Sequence, residues 1–193
     1  DLVIADMDGD GQPEIGISYM EKFIILDKNG NLKRLLSIPG ATSQPLTGTV
    51  YDLNGDGRPE VLIHAGGYFR IFDGASGALL FEDSFGSGSM QLQSVQVADV
   101  NGDGEAEIIV TGYDPSDDPV KGRDAIRVYG SKNHDWAGSR KIWNQFGYHV
   151  TNVNDDGTIP QHEAPSWLLN NTYGCQAPTG TGQAGQAVSP FAT

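Results

Sequence analysis

Apolar residues fall in short alternating runs along this chain. Ile15, Ile17 and Tyr19 alternate with small or polar residues, the period of a strand with one buried face. Leu2 to Ala5 reads as a short buried strand before them. Phe23 to Leu26 and Leu32 to Ile38 follow as two more, joined by the turn Asp27-Lys28-Asn29-Gly30, since Asn-Gly favours a hairpin. Pro39-Gly40 breaks the chain. The same order then returns. Thr49 to Tyr51 lead in, Val61 to His64 and Tyr68 to Phe72 form strands about Gly66-Gly67, and Ala78 to Phe81 pairs back. A Gly/Ser loop is expected over 84–89. A third unit has strands at Gln93 to Ala98, Ile108 to Gly112 and Ala125 to Tyr129, interrupted by a polar insertion over 114–123. Helices are not expected, apart from one turn at Trp167 to Asn170.

Between the first and second strand of each unit lies one kind of loop. The three copies run Asp6-Met-Asp8-Gly-Asp10-Gly11-Gln12-Pro-Glu14, Asp52-Leu-Asn54-Gly-Asp56-Gly57-Arg58-Pro-Glu60 and Asp99-Val-Asn101-Gly-Asp103-Gly104-Glu105-Ala-Glu107. They start 46 and 47 residues apart. A fixed period of this size marks a repeat architecture, and four short strands per unit matches one blade of a β-propeller. Side-chain oxygens occupy the first, third, fifth and ninth positions, with glycine at the sixth. That layout suits Ca²⁺, a hard cation taking six to eight oxygens from a tight turn. Mg²⁺ fits less well, because it prefers rigid octahedra and retains water. Carboxylates about 4 Å apart repel by roughly 4 kcal/mol per pair at an effective dielectric of about 20, so loops this acidic call for a cation. The competing reading is a plain hairpin turn, which Asp-Gly also favours.

Charge follows from these loops. The net charge is −13, and three bound Ca²⁺ would bring it to −7. No basic stripe exists to neutralise phosphates, which argues against nucleic-acid binding. No apolar run reaches membrane-spanning length. The chain begins at Asp1 within a strand-like run, which suggests a piece of a longer protein. Catalytic patterns are missing: there is no G-x-S-x-G elbow, no HExxH and no P-loop. His64 reads as an ordinary strand-end residue. The protein is expected not to be an enzyme.

From Lys132 the composition changes. Trp136, Trp143 and Trp167 lie in this segment with His134, His149 and His162. It reads as an aromatic cap on the last blade, with a sugar-stacking platform at Trp143 as the alternative. A weaker fourth calcium candidate is Asn152, Asn154, Asp156, Thr158 and Glu163, although Pro160 stands where the repeats place an acid. Asn170-Asn171-Thr172 fits a glycosylation pattern that matters only in a eukaryotic secretory setting. Cys175 has no pairing partner and reads as a free thiol in polar surroundings. The Ala/Gly/Thr/Gln/Pro run after it has linker composition.

The units ADMDGDGQPEIGI, YDLNGDGRPEVLI and ADVNGDGEAEIIV resemble FG-GAP/VCBS-type repeats, the calcium-bearing blades of integrin α-chains and of large bacterial surface proteins. The resemblance covers about residues 1–130. It implies Ca²⁺ held by side chains at positions one, three, five and nine, with the carbonyls of Gln12, Arg58 and Glu105 contributing. SRKIWNQFGYHVTNVNDDGTIP is similar to a stretch that often follows such repeats in secreted bacterial proteins. The expectation is therefore an all-β fold of about three four-stranded antiparallel, propeller-like blades, part of a larger or incomplete propeller. Repeats would span 1–131, a C-terminal capping segment 132–174 and a flexible tail 175–193. Propellers close with four to eight blades. Either further blades lie in the parent protein, or the last segment and neighbouring chains cover the open edges, where self-association is also expected. The implied function is a calcium-binding structural, adhesion or protein-interaction module, extracellular or at a bacterial cell surface, with a protein or glycan partner. The alternatives are a lectin-like module and an accessory propeller of a polysaccharide-degrading enzyme.

Overall fold

The computed structural model describes residues 2–41, 47–84, 94–112, 126–169 and 172–179. The alternating runs fold as antiparallel strands. β1 (Leu2–Ala5), β2 (Glu14–Tyr19), β3 (Lys22–Leu26) and β4 (Leu32–Ser37) form one sheet in chain order. β5 (Thr47–Tyr51), β6 (Glu60–Ala65), β7 (Tyr68–Asp73) and β8 (Leu79–Ser84) form the second. β9 (Ser94–Ala98), β10 (Glu107–Thr111) and β11 (Ile126–Tyr129) form the third, with three strands among the described residues rather than four. β8 continues to Ser84, where a loop was expected; the rest of that loop, the insertion over 114–123 and Asn170-Asn171 lie outside the described residues.

The sheets pack face to face as successive blades. Val3, Phe23, Ile25 and Leu36 meet Val61, Ile63 and Phe72 between the first and second blades. Leu62, Phe69 and Ile71 meet Val97, Ile108 and Val110 between the second and third. Every residue of β6 is therefore buried, whereas Leu2, Tyr19 and Leu35 on one flank and Ile126 and Val128 on the other stay exposed. The described blades do not close into a ring. Burying one such large apolar side chain is worth about 1.5–3 kcal/mol, so the middle blade gains on both faces what its neighbours gain on one. His64 is not a loose strand-end residue. It is fully buried, and its Nδ1 lies 2.9 Å from the Thr111 carbonyl across the blade interface. Asp83 Oδ2 accepts from Arg127 Nη1 and Tyr129 Oη, both at 2.9 Å, to tie the same two blades.

The C-terminal segment does more than cap the last blade. Trp136 and Ala137 enter the second core, where the Ala137 amide donates to the Leu53 carbonyl (2.7 Å) and its carbonyl accepts from the Ala106 amide (3.0 Å). This strap clips the second loop to the third. A short 3₁₀ turn, Val150–Asn152, and one helical turn, α1 (Ser166–Leu169), follow. The chain then returns along the innermost strands. Tyr173 exchanges backbone hydrogen bonds with Ile4 of β1 (3.0 and 2.9 Å), Thr49 of β5 donates to the Gly174 carbonyl (2.9 Å), and Gln176 Nε2 reaches the Val97 carbonyl of β9 (3.5 Å). Cys175 and Gln176 are buried, and the described chain runs on to Thr179. Two expectations are thereby corrected. The fold does not end at residue 174, and Cys175 is not in polar surroundings: burial pushes its thiol pKa up to about 12. Local composition cannot reveal partners so far away in sequence.

Candidate metal centres

The three loops share one backbone device. Each runs from the end of a blade's first strand to the start of its second. The glycines at positions four and six all have positive φ: Gly9 73° and Gly11 81°, Gly55 70° and Gly57 83°, Gly102 85° and Gly104 94°. Side chains larger than glycine rarely adopt that conformation, which explains the double glycine. The turn is then pinned by its own acids. Asp6 accepts from the amides of Asp10 (3.0 Å) and Gly11 (2.7 Å), Asp52 from Asp56 (3.0 Å) and Gly57 (2.8 Å), and Asp99 from Gly102 (2.6 Å) and Gly104 (3.1 Å). Asp10, Asp56 and Asp103 each accept from the amide two residues on, that of Gln12, Arg58 and Glu105. Glu14, Glu60 and Glu107 reach back to the amides of Met7 (2.8 Å), Leu53 (2.9 Å) and Val100 (2.9 Å). The fifth- and ninth-position acids thus spend one oxygen on the backbone and leave the other for a different partner.

The loops differ in what faces those oxygens. In the first, ligand atoms of Asp6, Asp8 and Glu14 lie within 4.8 Å of one another. Asp8 Oδ1 is buried without a hydrogen-bond partner. Lys33 Nζ reaches Asp8 Oδ2 (2.6 Å), Glu14 Oε1 (2.8 Å) and Asp10 Oδ2 (3.2 Å). In the second loop no lysine or arginine nitrogen comes within 4.0 Å of Asp52, Asp56 or Glu60 among the described residues. Glu60 is only 1% exposed, and desolvation pushes its carboxyl pKa up to about 8. Asp52 is raised by the same cause. Asn54 supplies an amide to Asp56 Oδ2 (3.3 Å), a weak substitute for a cation. In the third loop Lys141 stands 3.8 Å from Asp99 and is mostly exposed, while Asn101 Nδ2 bridges Asp103 (2.9 Å) and Glu107 (2.8 Å). Desolvation raises Glu107 as well.

This donor set fits a hard divalent cation. It is all oxygen, the backbone is preformed, and buried carboxylates lack enough positive charge. Asp6, Asp8, Asp10 and Glu14 would hold one ion, Asp52, Asn54, Asp56 and Glu60 a second, and Asp99, Asn101, Asp103 and Glu107 a third. The fourth candidate is not assembled. Asn152 Nδ2 donates to the Gly147 carbonyl (2.8 Å), and Glu163 pairs with His149 (2.5 Å) and Thr151 (2.7 Å), while Asn154, Asp156 and Thr158 close a small turn among themselves. Glu105 behaves differently from Gln12 and Arg58: its side chain lies 3.4 Å from His134, beside Asp103. Trp143 stacks on Tyr148 (4.7 Å between ring centres) and, with Phe146 and Tyr173, lines a cavity of about 220 Å³ over the starts of β1, β5 and β9. Lys33 was missed from the sequence, because a lone lysine in a strand carries no signal.

A model of FG-GAP-like repeats matches residues 6–63 and again 52–110. The chain belongs to the FG-GAP-like repeat family. Each match starts on the first aspartate of one loop and ends inside the second strand of the next unit, so the family's period is the blade-and-loop period described above. Comparison with curated proteins gives no match. Among solved structures, the fold is similar to the crystal structure of the V. cholerae biofilm matrix protein Bap1, with a TM-score of 0.70 and 25% identity. The alignment covers 88% of this chain and 28% of that one, so this chain spans little more than a quarter of that protein's length.

Proposed function

We propose that this chain is a calcium-stabilised, non-catalytic FG-GAP-like module of an extracellular structural or adhesion protein. The observation that carries this reading is the buried glutamate at the ninth position of each loop, held by the backbone and, in the second and third loops, paired with no lysine or arginine among the described residues. Calcium in the loop would favour the ionised acid and the folded turn together. A ligand that binds only the folded state adds roughly 1.4 kcal/mol per site at ten times its dissociation constant. Extracellular calcium modules bind at about 10⁻⁴ to 10⁻³ M, so such loops fill outside cells and empty inside. Likeness to part of a biofilm matrix protein supports a matrix or surface setting and a scaffold role. The reading extends to a bacterial host.

The test is thermal unfolding in millimolar Ca²⁺ and in EGTA, with a count of bound metal. A large upward shift with two or three ions per chain is expected. Unchanged melting with no bound metal would reduce the loops to turns. A second reading rests on the aromatic cavity at Trp143, Phe146 and Tyr173: a glycan-binding surface, for which a glycan-array signal lost in Trp143→Ala is the expected result. Nothing in the described residues favours the accessory-enzyme alternative.

A further inference from the structure

The three loops do not meet a cation on equal terms. Lys33 and Leu80 occupy the same place in successive blades. Ile25 pairs with Arg34 and Leu26 with Leu32, which leaves Lys33 as the extra residue of a bulge in β4. Ile71 pairs with Phe81 and Phe72 with Leu79, which leaves Leu80 as the extra residue in β8. A bulge re-aims a side chain relative to its strand. In the first blade that brings an ammonium group onto the loop. In the second it presents an exposed leucine. An ammonium has three protons, and Asp8, Asp10 and Glu14 take all three. The oxygens it uses on Asp10 and Glu14 are those the backbone leaves free.

We infer that Lys33 is a tethered counter-cation of the first loop, built to compete with a divalent metal ion for the same oxygens. It supports the loop when metal is scarce. It must also swing away before an ion can take Asp8, Asp10 and Glu14 together. Asp8 Oδ1 stays orphaned with the lysine in place, so the ammonium completes the loop less well than a divalent ion does. The consequence is an order of filling: the second and third loops bind first, and the first loop fills last. A binding-competent state that is only partly populated weakens apparent affinity by that fraction, here about fivefold to tenfold. This inference rests on the calcium reading above and refines it.

The experiment is equilibrium binding of Ca²⁺ to the 193-residue chain, with ions per chain followed against free Ca²⁺ for wild type, Lys33→Met and Leu80→Lys. Melting in EGTA is recorded alongside. Wild type is expected to take up two ions, then a third at about fivefold to tenfold higher calcium. Lys33→Met is expected to merge the third step with the first two and to melt lower in EGTA. Leu80→Lys places a lysine at an exposed position and is expected to delay one of the first two ions. If Lys33→Met binds calcium with the wild-type curve, or Leu80→Lys leaves uptake unmoved, the inference is overturned while the calcium reading stands. If no variant binds calcium, the calcium reading fails and takes the inference with it.

Discussion

The first and second loops have the same turn, the same paired glycines and the same acids at positions one, five and nine. They differ in the cation opposite. Lys33 reaches three carboxylates of the first loop, while Glu60 of the second is buried, accepts from the Leu53 amide and has no lysine or arginine nitrogen within 4.0 Å among the described residues. The second loop also has one acid fewer, Asn54 where the first has Asp8. Removing a carboxylate and adding a lysine are two answers to one problem, the mutual repulsion of anions in a tight turn. The first answer lowers the charge and leaves room for an ion. The second fills the room.

Acidity should separate the loops most strongly. The folded pKa of Glu60, about 8, stands above its ordinary value near 4.5. Between those values the folded state keeps a proton that the unfolded chain has released, so stability of the metal-free protein falls as pH rises through that window. The full effect is of the order of 4–5 kcal/mol. Denaturant unfolding in EGTA at pH 5 and pH 8 checks it, and Glu60→Gln should flatten the difference. Saturating calcium should oppose the loss at pH 8, because the ion favours the ionised acid.

Next in size is Asp56→Ala. It should cost about 1.5–3 kcal/mol in millimolar calcium and little in EGTA, read as paired melting curves. Equal losses in both media would make Asp56 a turn residue only. Lys33→Met should show the opposite pattern, losing about 1 kcal/mol in EGTA, less at high salt, and almost nothing in calcium. The smallest effect belongs to Asn54→Asp. Restoring the first loop's charge to the second should tighten calcium binding a few-fold and lower metal-free stability by a few tenths of a kcal/mol, as a calcium titration followed by melting would record.

Much of this was legible in the chain itself. Alternation at Ile15, Ile17 and Tyr19 marked β2 as a strand, although its more buried side is that of Glu14 and Gly16 and Tyr19 is exposed, and the double-glycine acidic loops marked the first turn of each blade. These signals are local, since strand period and turn chemistry act over a few neighbours. The rest depends on distant contacts. Lys33 matters because a bulge turns it toward residues 19 to 25 positions earlier. His64 matters because Thr111 lies across the blade interface. Cys175-Gln176 reads as the start of a linker, yet Ile4 and Val97 supply surroundings that bury it. The third sheet's three described strands were foreshadowed by the runs themselves, and only the general blade pattern called for a fourth.

That last returning segment also sets how the protein must fold. Ile4 finds its backbone partner at Tyr173, 169 positions along the chain. Each blade is a meander of neighbouring hairpins and can form early, because its contacts are close in sequence. The innermost strand of the first blade cannot be completed until residues 173–176 exist and have returned to it. A chain emerging from a ribosome or a secretion pore would carry that strand edge unpaired until Tyr173 follows it, the interval in which such edges are captured by other chains. Refolding should therefore show a fast phase for the hairpins and a slower one for the return of Tyr173, and a chain cut before Tyr173 should aggregate where the intact chain does not.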